Sequence, residues 1–553
     1  MMIKKWVKSG NPWIWLTAGS VSVSLLMVIG VLGLIIAKGM VYFWPGDILQ
    51  ASHQARDGSS SRLIGEIYDE ELVPVARLRD AGEVINSDEE SITRYLIKTG
   101  NRDVYGSDFR WVLDARLKDK QQSADIVVIE RREWGNMYGY LKSVQEDGKT
   151  IAAGDGKVWE EFQLRSTRVD EIFSQIRELE KDDIGAINYE LEQLRLQRRR
   201  IELSGINDPQ ELATIAAQEQ RLGVVYKKLE QQLGDLYTQM QRDSFVVEVM
   251  DGREVKQSMA KVVRAFKPNA MHVGDKLIHY VAKMWEFVSD DPREANTEGG
   301  IFPTLFGTIL MVMIMAVLVT PMGVIAAVYL REYAKQGPLT RVIRIAVNNL
   351  AGVPSIVYGV FGLGFFVYFL GGNIDQIFYP EALPAPTFGT GGIMWASLTL
   401  ALMTLPVVIV STEEGLSRVP RAVREGSLAL GATKAETLWR TVLPMASPAM
   451  MTGLILAVAR AAGEVAPLML VGVVKLAPSM PLDLNVPFLH LERKFMHLGF
   501  HIYDVGFQSP NVEAARPLVY ATALLLVLVI VVLNLAAIGI RNNLREKYRS
   551  LEH

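Results

Sequence analysis

The 553-residue sequence contains no cysteine, which excludes a disulfide scaffold, cysteine-ligated zinc, an iron–sulfur cluster and thiol catalysis. Histidine is scarce, seven scattered along the chain, and no HExxH occurs, so a histidine-based metal site has little support. No GxxxxGKS or GxxxxGKT loop is present, so the chain does not cradle ATP phosphates itself. The run Gly359-Val-Phe-Gly362-Leu-Gly364 has the spacing of a dinucleotide fingerprint but lies in an apolar stretch with no strand before it. A formal net charge of −3 lacks the excess of cations that marks a nucleic-acid binder.

What is abundant is hydrophobicity at both ends of the chain, separated by a long polar middle from roughly Gln50 to Pro292. A bilayer core about 30 Å thick takes roughly 20 apolar residues to cross as a helix. Six segments reach that length: Trp13 to about Val41, Thr304 to Leu330, about Leu350 to Leu370, Ile393 to Val410, Ala446 to Val473, and Leu518 to Ile540. The first is too long for a signal-peptide core and no small-residue cleavage site follows it, so it reads as an anchor. Basic residues cluster before span one (Lys4, Lys5, Lys8), between spans two and three (Arg331, Lys335, Arg341, Arg344), between four and five (Arg418, Arg421, Arg424, Lys434, Arg440) and in the tail (Arg541, Arg545, Lys547, Arg549). The loop 371–392 carries none, and that between five and six has only Lys475, Arg493, Lys494 and Arg516. The positive-inside rule then places both termini in the cytoplasm and the polar insert outside.

The expected architecture is an α-helical polytopic membrane protein of six transmembrane helices with an extracytoplasmic α/β domain. Residues 1–45 hold the N-terminal segment and first span, 46–270 the outer domain, 271–300 an interfacial helix and linker, 301–545 the remaining five spans, and 546–553 a cytoplasmic tail. In the outer domain Asp108–Asp114, Asp125–Glu130 and Phe245–Met250 read as strands, the last followed by a hairpin turn at Asp251-Gly252. Between them, about 169–242, Ile172, Ile176, Leu179, Ile187, Leu191, Leu194 and Ile201 recur at coiled-coil spacing. After a break at Gly205–Pro209 the stripe resumes with Leu222, Tyr226, Leu229, Leu233, Leu236 and Met240. This predicts an antiparallel helical hairpin projecting from a small β base. Arg198-Arg-Arg200 near its tip reads either as a solvated face or as a docking contact. The run Val273, Leu277, Tyr280, Val281, Met284, Trp285 and Val288 predicts an interfacial helix with its aromatics at headgroup level.

Two motifs carry function. Glu425-Gly-Ser-Leu-Ala-Leu-Gly431, nine residues, then Thr441-Val-Leu443-Pro444 form a loop (411–445) between spans four and five. It reads as two short helices broken at Gly431 and ended before Pro444, with Leu428, Leu430, Leu438 and Trp439 as apolar contacts suited to a cytoplasmic partner. The second motif, Ala459-Arg460-Ala-Ala-Gly-Glu464-Val-Ala-Pro467, lies in span five, where a charge is costly and normally faces the bundle interior or a wet path. Arg460 and Glu464, four apart, are expected on one helix face. They are either a site for an anion crossing the membrane or a structural ion pair. Pro354-Ser355 breaks span three, placing Ser355 at the path or at a packing kink.

The first motif resembles the EAA loop of ABC-transporter permeases, with Gly426-Ser427 in place of the usual Ala-Ala and Thr441 where Ile is common. The second is similar to that of the PstA-type permease of the bacterial phosphate ABC importer. The sister PstC type usually has Gly-Arg-Ala-x-Gly-Glu-Thr followed by Met. Asn296–Ile301 leading into Gly307-Thr308, Gly352–Val357 and Thr412-Glu-Glu414 look similar to the same family. The resemblance covers about residues 1–45 and 285–553. The insert departs from the usual form, in which a brief loop joins the first two spans. The resemblance implies a transport subunit, not an enzyme, in the bacterial inner membrane, importing inorganic phosphate. Its implied partners are a PstC-like permease, a dimer of ATP-binding subunits docked on Glu425, Gly431, Leu443 and Pro444, and a periplasmic phosphate-binding protein. It implies Arg460, Glu464 and Ser355 at the substrate path, no cofactor on this chain, and ATP and Mg used by the partner subunits. Two rival classes compete. A receptor signalling inward needs a cytoplasmic output domain, yet every inner segment is short. A scaffold using the hairpin explains the insert but not the EAA-like loop or the buried charges.

Overall fold

In the computed structural model, residues 11–548 are described except 56–57, 81, 83–89, 155, 206–208 and 510–511. Lys4, Lys5, Lys8, Arg549 and the centre of the 205–209 break therefore lie outside the described residues. Among the described residues six helices are long and apolar enough to cross a membrane. Helix α1 (Asn11–Val41) leads into the polar insert.

The insert is richer in β-structure than the small base expected. One sheet has five strands, Ile48–Gln54, Ser60–Pro74, Ser91–Lys98, Phe109–Leu113 and Leu117–Gln121; a six-stranded sheet includes Ile126–Arg131, Met137–Glu146, Asp243–Glu248 and Val262–Phe266. Pairing is antiparallel throughout both sheets. The three strands read from sequence are among them, and Asp251-Gly252 turns one hairpin with Gly252 at φ +83°. Buried Ile48, Ile64, Ile97, Val128 and Tyr138 join the two sheets, while Phe162, Val169, Ile172 and Ile176 seat a helix on the second.

That helix, α2 (Lys157–Glu178), continues through a wide turn into α3 (Gly185–Ser204), and α4 (Pro209–Gln241) returns alongside both. Ile172, Ile176, Ile187 and Leu194 are buried, and Leu222, Tyr226, Leu229, Leu233 and Leu236 are the half-buried face of α4. The arm lies on loops of the membrane core. The Tyr189 hydroxyl donates to the Val486 carbonyl, its ring meets His490 edge-on at 6.2 Å, and Arg200 pairs with the buried Glu381. The insert begins and ends at one place, since the Ile48 N–H donates to the Asn269 side chain (2.8 Å), whose amide donates back to the Ile48 carbonyl (2.9 Å).

Helix α5 (Val273–Ser289) joins insert to core and has two apolar faces. Tyr280, Met284, Phe287 and Val288 pack inward, while Leu277, Ile278, Val281 and Trp285 are exposed. The core follows as α6 (Phe302–Val328), the amphipathic α7 (Pro338–Leu350), α8 (Ser355–Phe361, running on through Phe378), α9 (Ile393–Arg418), a loop, α12 (Leu443–Ala462) and α14 (Val512–Tyr548). The loop contains α10 (Arg421–Ala429) and α11 (Lys434–Thr437), and α13 (Leu468–Val471) follows α12. Helix α9 is central, 67% buried over its apolar window against 0% for α1. Small residues let backbones approach, as where a Cβ on Gly453 would stand 2.6 Å from Ser411 Cβ and one on Gly415 2.7 Å from Ala449 Cβ.

Two spans differ from expectation. Span three starts at Ser355 and reaches Phe378 rather than covering Leu350–Leu370; span five covers Lys434–Ala462 rather than Ala446–Val473. In both cases the apolar run crosses a point where the helix is broken by Pro354 or by Gly463 and Pro467.

Candidate functional site

Helix α12 ends at Ala462, with the Gly463 N–H bonding back to the Arg460 carbonyl at 3.3 Å. Glu464 lies in the turn beyond, so the expectation that it shares a helix face with Arg460 is not met. The turn nevertheless brings Glu464 Oε1 to 3.7 Å from Arg460 Nε, with the side chains 21% and 35% exposed. That distance is too long for a hydrogen bond. The carboxylate balances the guanidinium charge without occupying its donors.

The break is held against α8. A Cβ on Gly359 would come within 2.7 Å of Pro467 Cα, and one on Gly362 would strike Thr399 and Val471. Pro354 precedes the first helical residue, so Pro354-Ser355 starts a helix instead of kinking one, and Ser355 is half-buried at that start. One turn on, Tyr358 is buried, donates its hydroxyl to the Leu350 carbonyl (2.6 Å) and lies within electrostatic reach of Arg460. Sequence reasoning passed over Tyr358; a hydroxyl one turn beyond Pro354-Ser355 in an apolar span was the available signal.

In the loop between α9 and α12, Gly431 takes φ +88° between α10 and α11, a conformation disfavoured for residues with a Cβ. A capping box of Thr433 and Glu436 opens α11, and the Ser427 and Thr437 hydroxyls bond at 2.9 Å across the turn. The chain does not stop before Pro444. A wide turn, Leu438–Val442, runs directly into α12, and Pro444 is tolerated in that helix's first turn with Leu443 half-buried beside it.

The four apolar loop residues divide between two surfaces. Leu438, 6% exposed, packs with Leu416, Val419 and Val442, whereas Leu428, Leu430 (91% exposed) and Trp439 (76%) face away together with the exposed Glu425. The loop is clamped to the end of span two. Arg424 pairs with Glu332 at 2.7 Å and donates to the Leu416 carbonyl at 2.5 Å, while Lys434 donates to the Glu332 carbonyl and sits 4.5 Å over the Tyr333 ring. Arg344 joins Glu413 at 3.2 Å.

Comparison with known proteins places these elements in context. The family described as "Binding-protein-dependent transport system inner membrane component" matches residues 319–550. "Phosphate transport system permease protein PstA 1" of Mycobacterium tuberculosis (strain CDC 1551) is 37% identical over 245 residues, covering 44% of this chain and 71% of that protein. "Phosphate transport system permease protein PstA" of Mycobacterium leprae is 40% identical over 175 residues, 32% of this chain and 52% of that one. "Probable ABC transporter permease protein YqgI" of Bacillus subtilis is 31% identical over 260 residues, 46% of this chain and 81% of that one. Among solved structures, an inward-facing MetNI methionine ABC transporter chain is 19% identical with a TM-score of 0.32, covering 48% of this chain and 98% of that chain, a likeness too low to carry weight.

Proposed function

This chain belongs to the PstA-type ABC permeases of the binding-protein-dependent transport family, and we propose on that basis that it moves inorganic phosphate inward across the bacterial inner membrane. It is a transport subunit. In this reading both termini are cytoplasmic, the insert is periplasmic, and a PstC-like permease completes the path. Two ATP-binding subunits receive the Leu430–Trp439 knob in a groove. Their closure moves α10 and α11, and the Arg424–Glu332 clamp and the unbroken run into α12 carry that motion to Arg460. A periplasmic phosphate-binding protein delivers the anion from the insert side.

Arg460, Glu464 and Ser355 are the proposed path residues. A guanidinium whose carboxylate stands 3.7 Å away can offer donors to a passing phosphate and have its charge balanced again by Glu464 when the anion leaves. The observation that carries the reading is the 37% identity spanning 71% of a phosphate permease. Labelled-phosphate uptake by cells carrying the chain with its partners tests it: Arg460→Gln should abolish uptake while the complex still assembles. Unchanged uptake would remove Arg460 from the path.

A further inference from the structure

Where the insert meets the membrane core there is a cavity of about 700 Å³. Its depth in the membrane follows from α5, which supplies His279 and Lys283 to the cavity wall and exposes Leu277, Ile278, Val281 and Trp285 on its other face. Such an apolar helix face is stable only in the interfacial zone of a bilayer, so the cavity behind it lies at headgroup depth. Its rim includes Val41, Pro517 and Leu518, at the ends of α1 and α14. These residues give the cavity an apolar wall at the level where the acyl chains of a bilayer begin.

Much of the charge on the cavity wall is already matched. Glu130 pairs with Lys283, and Glu286 with Arg293 at 3.1 Å. Glu66 and Glu298 form no ion pair among the described residues, and the one ammonium within electrostatic reach of both is Lys98. Arg293 and Arg102 also lie within reach of Glu298, and over the whole lining five carboxylates (Glu66, Asp108, Glu130, Glu286 and Glu298) face four cations (Lys98, Arg102, Lys283 and Arg293), one negative charge in excess. Burial pushes both carboxyls above their usual range, and a cation placed beside them would favour their charged form. The rings of Tyr68 and Phe109, edge-to-face at 5.1 Å, line the same wall, and the Lys98 ammonium already stands 5.9 Å from the Phe109 centroid, so the Tyr68 side of the pair is what a second ammonium would meet.

We propose that this cavity is a binding site for an amine-bearing phospholipid of the phosphatidylethanolamine type. The headgroup ammonium sits with Glu66 and Glu298 beside the Tyr68–Phe109 rings, the phosphate turns toward Lys98, and the acyl chains leave past Val41 and Leu518. A free phosphoethanolamine solute shares the polar chemistry but makes no use of the apolar rim.

The test uses the full chain in nanodiscs of equal phosphatidylethanolamine and phosphatidylglycerol, with native mass spectrometry of the retained lipid. Phosphatidylethanolamine should be retained in preference, and Glu66→Gln with Glu298→Gln should cut that preference about fivefold or more, the loss expected of charge-assisted bonds. Equal retention of the two lipids by the wild-type chain, or an unchanged preference in the variant, would overturn the site. Because the double variant can misfold, a phosphatidylethanolamine analogue with a photoreactive headgroup provides a second measurement. Labelling should fall within 42–68, 98–109 and 279–298, and labelling elsewhere alone would overturn the proposal. Soluble phosphoethanolamine should fail to block that labelling at equal concentration, and full blocking would reassign the site to a solute.

Discussion

His279 lies on the inner face of α5 with its ring 4.4 Å from Phe266, in a junction that also contains Glu130, Lys283, Arg264 and Glu286. Burial pushes its imidazole from 6.5 down to about 4; Glu130 and Glu286 pull it back up, while Arg264 and Lys283 push it further down. The unfolded chain therefore binds a proton from about pH 6.5 that the folded chain refuses until about pH 4, and stability falls as pH drops through that window. Glu130 behaves in the opposite sense. Burial raises its carboxyl, but Lys283 and Arg264 outweigh burial and hold it at about 2, so its contribution is intact above about 4.5 and is lost only below that. Softening of this junction between pH 6.5 and 4.5 thus belongs to His279. After discounting for partial exposure, the effect is about 1 kcal/mol at pH 5. His279→Phe keeps the ring contact and should shrink the drop in thermal midpoint between pH 7 and pH 5; an identical drop in both proteins would show that another group titrates. Sequence reading found Arg460 and Glu464 because a charge inside an apolar run is conspicuous. It could not find the Glu130–Lys283 pair, whose members are 153 residues apart, each ordinary in its own surroundings.

At the scale of elements, the coupling loop turns on Gly431. Nothing lies within 4 Å of a Cβ built there, so a larger side chain has room and the obstacle is the backbone angle of +88° alone. A β-branched residue in that region costs about 1–2 kcal/mol, comparable to what holds a short surface helix pair in place. Gly431→Val should therefore swing α10 relative to α11, shift the exposed Leu428 and Leu430 relative to Trp439 and uncouple ATP hydrolysis from uptake. Gly431→Asn, which tolerates positive φ, should stay coupled. ATPase and uptake rates of the assembled complex report both, and a fully coupled Val variant would count against this loop as the docking element. The loop was legible because its glycine and its leucine–proline ending punctuate the sequence. Its continuity into α12 was not, because Pro444 in a first helical turn looks the same in sequence as Pro444 after a helix end. The displaced limits of spans three and five have a related cause: hydropathy measures how long the chain stays apolar, not where its hydrogen-bond ladder stops.

For the whole molecule, six spans could be read because each is encoded within about 20 consecutive residues. The two sheets could be read only in part: hairpins such as that at Asp251-Gly252 are local, but the pairings that close each sheet are distant, Gln50 facing Gln121 and Phe266 facing Val128. The closure at Ile48 and Asn269 brings the two ends of the insert together, so a short bridge can span them. Excision of 48–268 with a short glycine bridge leaves α1 and α5 joined near the Asp47–Lys276 pair, and Lys283 and Arg293 keep Glu286 as a partner. Assembly with the other subunits and basal ATPase activity should survive. Uptake should fall several-fold, because Tyr189 and Arg200 no longer hold the loops at Val486 and Glu381. On the proposed orientation those loops face the incoming binding protein, so the loss should appear in coupling of transport to binding-protein concentration rather than in ATP turnover alone. Wild-type uptake by the excised chain would show that the arm rests on the core without acting on it.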